Sequence, residues 1–229
     1  ASLITWLLDS HPILIWSFFF GLIVASVWHV GRQVRRFSPF LLLPLCAGIV
    51  FAWWVTTLPA SEVAPSQLAF FGAGALAICA MILPGISGSF LLVIIGMYSP
   101  VLAAIKSFEV AHLGLFLLGC LTGLLSVARL ITLAFRHFHD TVLALLTGFM
   151  IGALSKVWPW QETLSWRTNS KGQEVPLSQT PVAPDSWAAL TGQDPQVVVA
   201  VMMALAGLVL VLALEYAGRF SAQRQAKAG

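Results

Sequence analysis

Apolar residues run along this chain in long unbroken windows, not in the one-faced patterns of elements half exposed to water. Such windows cover residues 12–30, 39–58, 67–83, 89–105, 110–128, 141–157 and 196–215. A helix needs about 17 to 25 residues to cross the roughly 30 Å hydrocarbon core of a bilayer, so each window predicts a membrane helix. The longest polar stretch, 158–195, is rich in Pro, Ser, Gln and Thr and carries Trp158, Trp160, Trp166 and Trp187. It reads as a solvated extracytoplasmic loop anchored by aromatics at the headgroup level, or as a lid over a substrate path.

Composition strengthens this picture. Hydrophobic residues make up 59% of the 229 and charged residues only 9%, where a soluble domain carries roughly a quarter charged. Lipid is therefore the expected solvent, and no nucleic-acid partner is expected. Cys46, Cys79 and Cys120 each sit inside an apolar run with no neighbour at a metal-ligand spacing; they read as small buried hydrophobes, with no metal and no cofactor expected. The start shows no basic region and no small-residue cleavage site, so no signal peptide is read there. The chain is expected to begin part-way through a longer protein.

The basic residues orient the windows, because Lys and Arg in short flanks stay on the cytoplasmic side. Arg32, Arg35 and Arg36 follow the first window, Arg129 and Arg136 the fifth, and Arg219, Arg224 and Lys227 the last. Placing these inside leaves Lys106, Lys156, Arg167 and Lys171 outside, together with most of the carboxylates. The first window then runs outside to inside, and the C-terminus is cytoplasmic. The stretch 130–139, with Arg136, His137 and His139 among Leu and Phe, reads as a helix end in the cytoplasmic interface or as a histidine proton relay.

One segment breaks the pattern. Between two apolar stretches the chain reads Pro84-Gly85-Ile86-Ser87-Gly88-Ser89. Proline removes a backbone donor and two glycines make a helical path costly, so the helix stops here. Both outer ends of the pair, near Ser66 and Lys106, fall outside, which makes the pair a hairpin. Its 17-residue arms reach about 25 Å at 1.5 Å per residue, short of the hydrocarbon thickness, so a re-entrant hairpin with its tip inside the bilayer is expected. A helix starting at the tip aims free N–H groups into a cavity, an arrangement that suits an anion, and the Ser87 and Ser89 hydroxyls add donors. The alternative is a Pro-Gly kink that lets helices pack closely, helped by Gly72, Gly74 and Gly96.

An internal repeat is also legible. Phe20-Gly21-Leu22-Ile23-Val24-Ala25-Ser26 resembles Thr147-Gly148-Phe149-Met150-Ile151-Gly152-Ala153, 127 residues later. The two copies run in opposite directions through the expected membrane, as inverted repeats of transporters do. The spacing puts the partner of the broken motif upstream of residue 1. Residues 1–66 then hold the latter half of a first repeat and 67–229 a second. The expected fold is an all-α integral membrane protein, a multi-span helical bundle with a broken, re-entrant hairpin and inverted-topology repeats.

Ala80-Met81-Ile82-Leu83-Pro84-Gly85-Ile86-Ser87-Gly88-Ser89-Phe90, followed by Gly96-Met97-Tyr98, resembles the second signature of the bacterial and archaeal polyprenyl-phosphate transporter family. Phe18 to Ile23, Arg129, Leu146 to Gly152 and Trp158-Pro159-Trp160 resemble further blocks of that family in the same order. The resemblance implies a multi-pass protein of the bacterial cytoplasmic membrane. It also implies a flippase that returns undecaprenyl phosphate, the lipid carrier of cell-wall precursors, from the outer to the cytoplasmic leaflet. The family's first signature, Pro-Gly-Val-Ser-Gly-Gly, is absent from this chain.

On this reading the phosphate is held by Pro84, Gly85, Ser87, Gly88 and Ser89. Arg129 is either its charge partner or a positive-inside anchor, and Thr147, Gly148 and Ser155 form a second tier of cavity residues. A coupling ion, H+ or Na+, is a candidate partner. An intramembrane enzyme acting on a lipid phosphate is the second reading. It wants convergent His, Asp and Arg or a metal-binding carboxylate set, whereas none of the nine acidic residues falls well inside a window and the His are scattered. A channel or small-ion transporter on the same broken hairpin is the third.

Overall fold

The computed structural model describes residues 11–36, 38–58, 65–82, 84, 87–168 and 174–228. Its helices follow the apolar windows: α1 (Pro12–Gly31), α2 (Leu42–Thr57) after a 3-10 turn at Pro39–Leu41, α3 (Gln67–Ile82), α4 (Gly88–Ile94), α5 (Tyr98–Lys106) and α6 (Val110–Ala153). A second 3-10 turn (Leu154–Val157), strands β1 (Gln161–Thr168) and β2 (Glu174–Pro181), α7 (Pro184–Thr191) and α8 (Val197–Ala228) complete the order. Large apolar side chains face outward along the helices, Phe40 being 88% and Leu68 83% exposed. Only a lipid surround makes such faces inexpensive.

The chain forms two compact units. One holds α1, residues 154–164, α7 and α8; the other holds α2 through α6. At about 1.5 Å per residue the 44 residues of α6 would measure about 66 Å, more than twice the hydrocarbon core. The helix is in fact interrupted at Phe138, whose φ of −135° and ψ of 48° are not helical. It serves as two arms, 110–137 and 139–153, which matches the two windows read there.

Glycines set how the helices meet. Where a Cβ would stand on Gly21, the carbonyl oxygen of Ala204 lies 1.9 Å away, and Gly207 meets the Phe18 carbonyl at 2.3 Å. Ser17, Gly21 and Ala25, four residues apart, are the buried stripe of α1 that seats on α8. The first arm of α6 uses Gly119 and Gly123 against the Phe71 and Ala75 carbonyls of α3, and Gly74 answers from α3 against Phe116. The second arm uses Gly148 and Gly152 against the Leu45 and Ile49 carbonyls of α2, with Gly48 answering against Leu145. In each pair the contacting positions rise together along both helices, so the partners run parallel. Backbones approach this closely only where small residues remove the side-chain layer, the usual solution between helices in lipid.

The return arm of the hairpin differs from expectation. Residues 89–105 read as one helix, but α4 ends after seven residues and α5 leaves at a bend of 108°. Gly96 takes the left-handed conformation at φ 71°. Its N–H donates to the Val93 carbonyl at 3.0 Å, and the Met97 N–H donates to the Leu92 carbonyl at 2.9 Å. This is the glycine-terminated helix end that satisfies the last carbonyls. Met97, 1% exposed, drops into a core of Phe70, Ala73, Ala77, Leu92, Val101 and Ala104, which fixes the bend.

Two further readings change. Cys46, expected to be buried, is exposed on α2, whose buried positions Gly48, Ala52 and Val55 lie on another face. The 158–195 stretch, read as a loop, contains the β1–β2 hairpin and α7. Its aromatics do anchor it: the Trp158 indole donates to Val182 at 2.8 Å and that of Trp160 to Pro195 at 2.9 Å.

The glycine contacts predict opposite outcomes on one helix. A Cβ at Gly74 would stand 2.1 Å from a backbone oxygen, whereas at Gly72 it would meet nothing within 4 Å. Alanine favours a helix by about 1 kcal/mol over glycine, while forcing an added carbon into a closed contact costs about 1–3 kcal/mol. Gly72→Ala is therefore expected to raise the thermal midpoint in detergent and Gly74→Ala to lower it.

A pH effect is expected where α6 begins. Glu109 accepts from the Ser107 hydroxyl at 3.0 Å and pairs with His112 at 2.7 Å. The Ser107 hydrogen bond first, then His112, holds its carboxyl below the usual glutamate range. A depressed carboxylate contributes stability above the ordinary glutamate value and loses it as pH falls through its own lower value. Hydrogen exchange at residues 110–113 should accelerate over that acidic window, and Glu109→Gln should remove the dependence.

Candidate functional site

The hairpin tip is the place where polar groups gather inside an apolar unit. α3 ends at Ile82, and α4 begins at Gly88 with Ser87 in extended backbone at its N-cap position (φ −90°, ψ 128°). The Leu91 N–H donates to the Ser87 carbonyl at 3.0 Å, which opens the helix. The N–H groups of Gly88 and Ser89 precede the first intrahelical donor, as at any helix start. The Ser87 and Ser89 hydroxyls lie 2.9 Å apart, and both residues are exposed. Pro84 is half-buried beside them, and Gly85 lies outside the described residues. With only seven residues in α4, the helix dipole adds little, so the donors at the tip are the two hydroxyls and the turn amides.

Gly88 has a packing role here. It is buried, and a Cβ on it would stand 2.5 Å from the Ala77 carbonyl oxygen and 2.7 Å from the Met81 side chain. It brings the two arms of the hairpin together, so the kink reading and the anion reading meet in one motif: glycine packs, serine faces outward.

Arg129 stands at the level of this tip. Gly123 packs beside Ile78, and the helices run parallel. Arg129 lies about 9 Å beyond Gly123, the same rise that would separate Pro84 from Ile78. The two are level but not face to face, because six residues turn Arg129 about 120° from the glycine stripe. Its side chain is exposed.

The second-tier residues fall elsewhere. The Thr147 hydroxyl is buried and donates to its own helix at the Leu143 carbonyl, 2.7 Å away. Gly148 seats the second arm of α6 on α2. Ser155 lies in the other unit, in the 154–157 turn, where its carbonyl accepts from the Gln161 amide at 3.3 Å. Thr147 and Gly148 thus serve helix packing and do not join Ser87 and Ser89.

Sequence reasoning missed two polar contacts. The Asp140 carboxylate accepts from the Arg35 N–H at 3.0 Å and the Arg36 N–H at 3.1 Å, tying the loop after α1 to the Phe138 break. Glu215 lies within the apolar span Val197–Ala217 of α8 and meets His29 of α1 at 2.9 Å. This corrects the reading that no acidic residue falls well inside a membrane segment. Their signal was the coincidence of a His and a Glu near the ends of two otherwise apolar windows. Among the described residues no three His, Cys, Asp or Glu side chains are grouped to hold a metal ion.

Comparison with known proteins completes the site. Residues 1–175 match the model of a family described as undecaprenyl phosphate translocase-like. A protein of Vibrio cholerae serotype O1 named polyprenyl-phosphate transporter is 51% identical over 215 residues, which cover 94% of this chain and 70% of the relative. A Staphylococcus aureus protein of the same name is 31% identical over 179 residues, covering 69% of this chain and 62% of that relative. No solved structure matches the chain. Both relatives are named as transporters, not enzymes, and their likeness together with the apolar helices makes this a multi-pass bacterial membrane protein. The match over most of its length and the 51% identity establish that the chain belongs to the undecaprenyl phosphate translocase-like family.

Proposed function

We propose that this protein carries polyprenyl phosphate across the cytoplasmic membrane, returning undecaprenyl phosphate from the outer to the inner leaflet so that the carrier lipid is used again in cell-wall synthesis. The observation that carries this reading is the 51% identity, over 94% of the chain, to a relative named polyprenyl-phosphate transporter. The phosphate is held at the hairpin tip by the Ser87 and Ser89 hydroxyls and the amides of the turn, with Pro84 and Gly85 shaping it. The exposed hydroxyl pair supports this, since an anion wants several convergent donors. Arg129, level with the tip, supplies positive potential at the cytoplasmic end. The isoprenoid tail stays in lipid along the apolar helix faces.

Inverted repeats, the latter half of one in residues 1–66 and a second in 67–229, fit the pairing of the helices. Leu45-Cys46-Ala47-Gly48-Ile49-Val50 in α2 is similar to Ala204-Leu205-Ala206-Gly207-Leu208-Val209 in α8. Gly21 and Gly207 close the α1–α8 contact, and Gly148 and Gly48 close the contact between the second arm of α6 and α2. Each pair therefore joins a helix of one repeat to a helix of the other. Such an exchange supports two halves that move as mirrored partners, as alternating access requires.

The test uses the full-length protein in vesicles, with a fluorescent short-chain polyprenyl phosphate whose outer-leaflet fraction is read by quenching. Each hydrogen bond to a charged phosphate contributes about 1.5–3 kcal/mol, so removing one hydroxyl should weaken apparent affinity roughly 10- to 100-fold. Ser87→Ala and Ser89→Ala are expected to do this at unchanged thermal stability, because both residues are exposed. Cys79→Ala, higher in the same hairpin, should leave transport nearly unchanged. Normal affinity in the double serine variant would move the phosphate site away from the tip.

A further inference from the structure

We propose that His29 and Glu215 form a proton-binding site that couples movement of the anionic lipid to a proton. His29 lies two residues before Gly31, where α1 ends, and Glu215 two residues before Ala217, where the apolar span of α8 ends. The imidazole Nδ1 and the carboxylate Oε2 are 2.9 Å apart, with the side chains 38% and 12% exposed. An ionisable group inside an apolar helix is costly, and it marks an ion or proton path when it has a partner on a neighbouring helix.

The chemistry of the pair is that of a one-proton site. With the proton on the imidazole, the imidazolium donates to the carboxylate and the pair carries no net charge. When that proton leaves, one uncompensated negative charge remains between two apolar helices. The low dielectric makes that state unfavourable, so release is confined to a conformation in which water reaches the pair. Imidazole is the side chain whose proton exchanges near physiological pH.

The surroundings leave this role to the pair. α1 packs against α8 and the 154–157 turn. On α1 the nearest cation is Arg32, whose guanidinium sits 6.0 Å over the Trp28 ring. On α8 Tyr216 adjoins Glu215, and Arg219 follows three residues further on. The cation of the 154–157 turn, Lys156, stands near Trp158, which packs on Phe20 nine residues from His29 along α1. The pair is also not needed to dock the helices, because Gly21 and Gly207 already bring the backbones together. An apolar pair of equal size would hold that contact at lower cost. A use for the charges explains the site better than a clamp does: a proton carried with a phosphate ester cancels one of its negative charges, whichever leaflet receives it.

This inference rests on the transport reading, and the experiment separates the two. The full-length protein in vesicles, with membrane potential clamped to zero, is given a gradient of one pH unit. One proton per lipid would drive the leaflet ratio of short-chain polyprenyl phosphate to about tenfold at steady state. Wild type is expected to reach that ratio. Glu215→Gln and His29→Gln are expected to stay near an even distribution while still equilibrating lipid without a gradient, and Glu215→Asp to recover part of the response. Infrared difference spectra on acidification should show imidazole bands that disappear in His29→Gln. A wild type that equilibrates lipid but ignores the gradient, or variants that keep the tenfold ratio, would overturn the proposal and leave transport standing. Equal loss of gradient-driven and gradient-free movement with a lowered thermal midpoint would make the pair a clamp and overturn it too. A wild type that moves no lipid would remove the transport reading, and the coupling with it.

Discussion

Backbone-to-backbone contact between parallel helices is the constraint on which the rest of this molecule depends. In lipid the apolar faces gain nothing by meeting one another, so association must come from close packing and polar contacts. Gly21 with Gly207, Gly48 with Gly148, and Gly74 with Gly119 each place a carbonyl oxygen where a side chain would otherwise begin. These contacts set the level of every functional group along its neighbour. They bring the tip of the hairpin to the height of Arg129, and they bring His29 beside Glu215.

The hairpin shows how such packing leaves room for chemistry. Gly88 is consumed in joining α4 to α3, and Gly96 in turning the chain into α5. The residues between and beside them are then free to be polar, and Ser87 and Ser89 place two hydroxyls together on the exposed side. A continuous return helix would have satisfied its own backbone and offered nothing to an anion. The bend at Gly96 confines α4 to two turns, which makes hydroxyls and turn amides, not a helix dipole, the basis of the proposed phosphate site.

Much of this was legible in the sequence. Long apolar windows located the helices, and Pro84 with its flanking glycines located the break. The break at Gly96 was missed because the residues around it, Ile94, Ile95 and Met97, are as apolar as the helices, and only the left-handed glycine marks the turn. Phe138 closed one helix and opened another without any proline or glycine. Spacing carried a stronger message than was read from it: Gly119 and Gly123, then Gly148 and Gly152, are four apart, the signature of close helix contact. For the same reason Thr147 and Gly148, read as cavity residues, proved to be a helix-satisfied hydroxyl and a packing glycine. Asp140 and Glu215 escaped notice because their partners, the Arg35 and Arg36 amides and His29, are distant in sequence.

The central claim is that the phosphate of the transported lipid sits against Ser87 and Ser89 at the tip of the hairpin. Solid-state NMR of the full-length protein in bilayers measures this directly, through dephasing between the phosphorus of polyprenyl phosphate and carbon-labelled serine side chains. The account predicts strong dephasing of the Ser87 and Ser89 β-carbons, at hydrogen-bonding separation, that vanishes when the lipid alcohol replaces the lipid phosphate. Dephasing at other serines with none at these two would contradict it.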